Sequence, residues 1–166
     1  MIIRDALPSD FPKIKELRLN AYGEHATKIP DDHWNALKQQ IISDESVPGL
    51  ETMVAEIDGE IVGTVVLFPS NTQGYQGLVE EELKYPELRK LAVSKKARGK
   101  GVAKALIKEC IERSKKKGYS AMGLHTSDFM ETAMRLYEKM GFVRKPEDDF
   151  VPLEDGIIVK AFQITF

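Results

Sequence analysis

The sequence has a single cysteine, Cys110, so no intramolecular disulfide can form and a disulfide-stapled secreted scaffold is excluded. No apolar run approaches the ~18 residues that a membrane span requires, and the opening MIIRDALPSD has no apolar stretch suited to a signal peptide. An excess of one charge is lacking too. The 24 basic and 26 acidic side chains leave a formal net charge of −2, which argues against a broad attraction to nucleic acid. Neither nucleic acid nor a membrane is an expected partner, and the cytoplasm is the expected compartment. His25, His33 and His125 show no metal-ligand spacing with one another or with Cys110, so no metal is expected.

What remains is a chain of 166 residues, 42% of them hydrophobic and 30% charged, a balance that suits one globular domain over residues 1–166. Residues 2–5 read as a strand, and Ser9 or Asp10 stands where a helix cap belongs. Ile14, Leu17 and Ala21 then recur at helical spacing. A second helix follows Pro30, with Trp34, Leu37 and Ile41 on one face. Residues 52–57 and 60–68 flank Asp58-Gly59, the strongest short-range signal for a hairpin. The segment 69–86 breaks all periodicity and reads equally as a functional loop or a surface connection.

Residues 87–93 form the next strand, with Glu87, Arg89, Leu91 and Val93 expected on one side. From Gly101 a helix carries Val102, Leu106, Cys110 and Ile111 as its apolar stripe, and Gly118 caps it. Cys110 reads there as a small core residue. A strand at 119–126, a helix at about 129–139 and a final pair of strands with a turn at Asp155-Gly156 complete the chain. The order is that of a mixed α/β domain (α+β mixed sheet), and 87–126 should be a crossover between parallel neighbours.

Chemistry concentrates at Val93–Leu106, VSKKARGKGVAKAL. A strand enters a basic glycine turn that opens directly into a helix. Such a turn aims unpaired amides outward, and the helix dipole adds partial positive charge, which together make a phosphate site. The P-loop pattern is absent. The dinucleotide fingerprint fits poorly as well, since only Gly99, Gly101 and Ala103 are available and no acidic residue ends the following strand.

The turn resembles the acetyl-CoA signature of the GNAT superfamily, here Arg98, Gly101 and Ala103. The strand LRKLAV before it, the amphipathic helix after it and LYEKMGF at 136–142 strengthen the resemblance. It implies a mostly antiparallel sheet containing a parallel strand–helix–strand cofactor unit. It also implies that amides from Arg98 through Gly99, Lys100, Gly101, Val102 and Ala103 to Lys104 hold the CoA pyrophosphate. The strand edge Leu91-Ala92-Val93 would pair with pantetheine, and an amide near Leu91 would polarise the thioester carbonyl. Arg98, Lys100 and Lys104 could add phosphate contacts, although a solvated surface role suits each lysine equally.

For catalysis the resemblance points to Glu87 as general base and Tyr137 as the acid that protonates the departing thiolate. Each also reads structurally, Glu87 as a salt-bridged or exposed strand-end residue and Tyr137 as a buried aromatic. Glu81, Glu82 and His125 are weaker candidates for the base. Met130 stands where many relatives carry an asparagine that contacts the cofactor, so that contact is expected to be missing or replaced.

The expected activity is acetyl transfer from acetyl-CoA, as cosubstrate, to a primary amine by direct attack. The alternative is a non-catalytic acyl-CoA-binding sensor or scaffold. The first two helices, the 69–86 loop and the last strands are expected to form the acceptor pocket, and Glu80, Glu81 and Glu82 read either as favouring a cationic amine or as a solvated charge run. Exposed edges of the last strands admit a homodimer.

Overall fold

The computed structural model describes residues 1–43, 47–70 and 83–166. Along the chain lie β1 (Ile2–Asp5), α1 (Phe11–Gly23), α2 (Asp31–Ile42), β2 (Glu51–Ile57) and β3 (Glu60–Phe68). They are followed by β4 (Glu87–Val93), α3 (Val102–Lys116), β5 (Ala121–Ser127), α4 (Glu131–Lys139), β6 (Val143–Arg144) and β7 (Val159–Thr165). This is the order read from the sequence. The strands hydrogen-bond in the order β1-β2-β3-β4-β5-β7-β6. β4 and β5 run parallel, whereas β1/β2, β2/β3, β5/β7 and β6/β7 are antiparallel, the mixed sheet that was expected. Residues 71–82, with Glu80, Glu81 and Glu82, fall outside the described residues, so the reading of that loop does too.

By contacts the chain divides into two units, and β4 and α3 each contribute to both. The first comprises Met1–Leu67 and Lys90–Cys110. Its hairpin turns at Asp58 and Gly59, with φ of 51° and 79°. Two consecutive positive φ values are what a tight hairpin with native strand twist demands, and Asp and Gly tolerate them best. Ile14 and Leu17 of α1, Met53 and Val54 of β2, and Leu106 and Cys110 of α3 belong to its core. His33 of α2 is buried as well, so the inward face is wider than Trp34, Leu37 and Ile41 alone.

Gly63 on β3 decides how closely α3 packs. A Cβ there would lie 2.7 Å from Val102 Cγ1 and 3.1 Å from Leu106 Cδ1. Asp10, one of the two expected helix caps, makes no side-chain cap to α1. The second helical residue is Pro12, which has no N–H to offer. Asp10 accepts the Leu7 N–H at 2.7 Å instead and pairs with Arg4 at 2.8 Å.

The second unit comprises Phe68–Arg89 and Ile111–Phe166. β7 pairs with β5 along Ala121–Ser127, and Phe142, Phe162 and Tyr137 form an aromatic core. The connection between β6 and β7 includes the turn expected at Asp155-Gly156, where Gly156 has φ of 82° and the Ile157 N–H donates to Asp155 Oδ1 at 3.1 Å, but it is longer than that turn alone. β6 has two residues, a 3-10 turn follows at Pro146–Asp148, and Phe150 bridges to Val159. Asp149 holds this segment by accepting both terminal nitrogens of Arg144, at 2.8 and 2.6 Å, and the Ala161 N–H at 2.7 Å.

β4 also departs from strict alternation. Lys90 has φ of 55°, a left-handed value uncommon outside glycine, so Glu87, Arg89, Leu91 and Val93 do not follow from one another by simple parity. The parallel register with β5 comprises Glu87↔Gly123 and Leu88↔Leu124, both before Lys90.

Candidate active site

In the first unit β4 leads into the glycine turn. Ser94 is followed by a 3-10 turn at Lys95–Ala97, and Arg98 is extended. Gly99 and Gly101 then take φ of 78° and 79°. A Cβ at either glycine would meet nothing within 4 Å, so glycine is required there by backbone conformation, and the space above the turn is open. The first bond of α3 runs from the Ala105 N–H to the Gly101 carbonyl at 3.0 Å. The amides of Val102, Ala103 and Lys104 therefore precede any intrahelical acceptor. An anionic phosphate group fits this arrangement. The Arg98 N–H donates to the Lys95 carbonyl at 3.2 Å.

Among the strand residues, Leu91 and Val93 are half-buried and Ala92 is buried. Lys100 and Lys104 are exposed. The Arg98 side chain meets a partner the sequence did not suggest: its Nη2 donates to Glu24 Oε1 at 2.6 Å, and Lys95 Nζ lies 3.7 Å from the same oxygen. Burial pushes the Glu24 carboxyl up, but the hydrogen bond and charge of Arg98 outweigh it and hold that group below the usual range.

In the second unit Glu87 is 2% exposed, which removes the reading of an exposed strand-end glutamate. Its Oε1 lies 2.7 Å from His125 Nδ1 and 3.8 Å from Arg89 Nε. The Arg89 guanidinium stacks over the Phe68 ring, 4.0 Å from its centre. His125 Nε2 donates to the Asp148 carbonyl at 2.9 Å. Burial drags the imidazole down, yet the hydrogen bond and charge of Glu87, with the Asp148 carbonyl, raise it above its ordinary value.

The geometry thus joins Glu87 with His125, the weaker sequence candidate, and adds Arg89. Parallel register explains the meeting, since Glu87 stands opposite Gly123, two residues before His125. Tyr137 is buried, with its ring 5.7 Å from Phe142 and 6.3 Å from Phe162. Met130 immediately precedes α4 at its N-cap position, its N–H bonded to the Ser127 carbonyl. Among the described residues, no three His, Cys, Asp or Glu side chains gather as for a metal ion, and no helix is long and apolar enough to cross a membrane.

Comparison with known proteins places this geometry in a family. N-acetyltransferase 8B of Homo sapiens is 35% identical over 97 residues, 58% of this chain and 40% of that protein. The chain therefore spans less than half the length of that relative. Its fold is similar to that of a PaiA N-acetyltransferase from Thermoplasma acidophilum in complex with coenzyme A, with a TM-score of 0.73 and 15% identity over 99% of this chain and 98% of that one. A putative streptothricin acetyltransferase from Bacillus anthracis in complex with acetyl coenzyme A matches 73% of this chain and 65% of its own, with a TM-score of 0.57 and 22% identity. The model of the acetyltransferase (GNAT) family matches residues 11–142, and the chain belongs to that family.

Proposed function

We propose that residues 1–166 act as one N-acetyltransferase domain that moves the acetyl group of acetyl-CoA to a primary amine by direct attack. The observation that carries this reading is β4 itself, which begins at the buried carboxylate of Glu87 and runs into the glycine turn before α3. Family membership and the neighbours solved with coenzyme A or acetyl coenzyme A support it.

The amides from Gly99 to Lys104 hold the pyrophosphate, the Arg98 amide of the expected set being already bonded to the Lys95 carbonyl, and the Leu91–Val93 edge orients the pantetheine arm. Bound acetyl-CoA supplies an activated thioester. A lysine-like amine has a solution pKa near ~10.4, so most of it arrives as ammonium, and Glu87 takes its proton directly or through water. As the new C–N bond forms, an amide near Leu91 stabilises the negative charge developing on the carbonyl oxygen. When the C–S bond breaks, the Tyr137 hydroxyl gives a proton to the departing sulfur, and the second proton shed by the attacking nitrogen restores that hydroxyl.

Calorimetric titration with acetyl-CoA, with NADH and ATP as controls, tests the first step, and a panel of amines tests the second. Selective acetyl-CoA binding with turnover is expected, and Glu87→Gln and Tyr137→Phe should each lower kcat by roughly tenfold or more while binding persists. Binding without acetylation of any amine would favour a sensor or scaffold. Unchanged turnover in the double variant would remove both residues from the mechanism.

A further inference from the structure

His125 holds a proton whose position is fixed by its neighbours. A backbone carbonyl only accepts, so Nε2, 2.9 Å from the Asp148 oxygen, must carry hydrogen. Nδ1 lies 2.7 Å from Glu87 Oε1, too close for two lone pairs to face each other, so one further proton occupies that line. Imidazolium with carboxylate and neutral imidazole with carboxylic acid contain the same number of protons. Both side chains are nearly enclosed, at 7% and 3% exposure, so solvent does little to separate the two charges.

The surroundings decide how firmly this proton is held. From β4, Glu87 favours it and Arg89, 3.8 Å from the same carboxylate oxygen, opposes it. From the segment between β6 and β7 come the Asp148 carbonyl and the Asp149 carboxylate, which senses the charge on His125. The Phe150 ring centre lies 5.4 Å from the imidazole, and the register partner on β7 is uncharged Ala161.

We infer that His125 is the positioning residue of the base: through one shared proton it locks the Glu87 carboxylate and sets when that carboxylate accepts a proton. The inference rests on the reading of Glu87 as base. With the shared proton present, imidazolium offsets the carboxylate charge and Glu87 is a weak acceptor. Once it has left, no imidazolium offsets the carboxylate charge, and the pair takes up a proton readily. That proton comes from the ammonium group of the acceptor before the freed amine attacks, and it passes to solvent before the next turnover.

Two measurements on the full chain test this. In the first, the imidazole nitrogens of His125 are followed by NMR through a pH titration of the wild type and of Glu87→Gln. The expected result is an Nε2–H imidazole that titrates above 6.5 in the wild type and distinctly lower in Glu87→Gln. A midpoint that Glu87→Gln leaves in place would overturn the shared proton, whatever the enzyme does.

In the second, kcat/KM is measured against pH for the wild type, His125→Asn and His125→Gln. The wild type should rise through the midpoint seen by NMR. His125→Asn, which keeps a neutral donor, should lose that limb and roughly tenfold of its rate at pH 8 while binding acetyl-CoA normally. An unaltered limb in both variants would overturn the role of His125. A coupled titration by NMR with no acetylation of any amine would instead overturn the acetyltransferase reading, and the role of His125 with it.

Discussion

Replacing Gly63 with alanine should damage both stability and cofactor binding, and the distances give the size of the effect. The new Cβ would sit 2.7 Å from Val102 Cγ1, 3.1 Å from Leu106 Cδ1 and 3.4 Å from the Ala92 carbonyl oxygen. Carbon atoms settle at about 3.5–4.0 Å, so the Val102 contact falls short by roughly 1 Å. Valine is stiff at χ1, Val102 is 2% exposed, and Ala92 contributes backbone. Relief must come from the first turn of α3. Overpacking of this kind costs about 1–3 kcal/mol, to be read from urea unfolding followed by two probes. Val102 directly follows Gly101, so the displaced turn carries with it the amides proposed to hold the pyrophosphate. Acetyl-CoA should then bind roughly three- to tenfold more weakly by calorimetry, equivalent to about 0.7–1.4 kcal/mol. Adding Val102→Ala removes the clashing methyl, so the double variant should be more stable than the two single losses predict. A Gly63→Ala protein with wild-type stability and affinity, and an additive double variant, would refute the packing argument.

Two further outcomes are expected. Glu24→Gln removes a carboxylate from Arg98 and Lys95, so calorimetry should show acetyl-CoA binding roughly two- to fivefold tighter, at a stability cost below ~1 kcal/mol for a partly exposed pair; weaker binding would mean that Glu24 holds Arg98 in a useful pose. Asp10→Asn loses charged partners at Arg4 and should cost about 1–3 kcal/mol near neutrality. The hydrogen bonds from Arg4 and the Leu7 amide hold the Asp10 carboxyl below its usual range. Its contribution is therefore present above ~3.9 and fades as pH falls through the depressed value, so unfolding curves of wild type and variant should converge in acid.

Local chemistry was the legible part of this sequence. Asp58-Gly59 marked its hairpin because two left-handed residues in succession admit few residue types, and both take positive φ. Gly99 and Gly101 marked the turn on the same ground, and Cys110 announced itself as core by helical spacing. What stayed hidden depends on register or on side chains overruling local preference. Glu87 and His125 meet because of a parallel offset between strands separated by a helix, and periodicity says nothing of such an offset. Lys90 carries no turn signal, yet it adopts a left-handed φ in the strand. The Asp10 carboxylate left its expected capping role for Arg4 and the Leu7 amide, and the final connection is held by Asp149 as well as turning at Asp155-Gly156.

The short outer strands bear on how copies of this chain avoid one another. A sheet margin with unpaired backbone groups is a template on which a foreign strand can grow, and the danger increases with its length and flatness. Here one margin is β1, four residues long with Arg4 in it, and the other is β6, with two residues, one of them Arg144. Each arginine is anchored by carboxylates, Arg4 by Asp10 and Glu56 and Arg144 by Asp149. An incoming strand would find few hydrogen bonds to make and a fixed charge beside them. Lengthening β6 or neutralising Arg144 would weaken a guard against aggregation that no measurement of turnover would reveal.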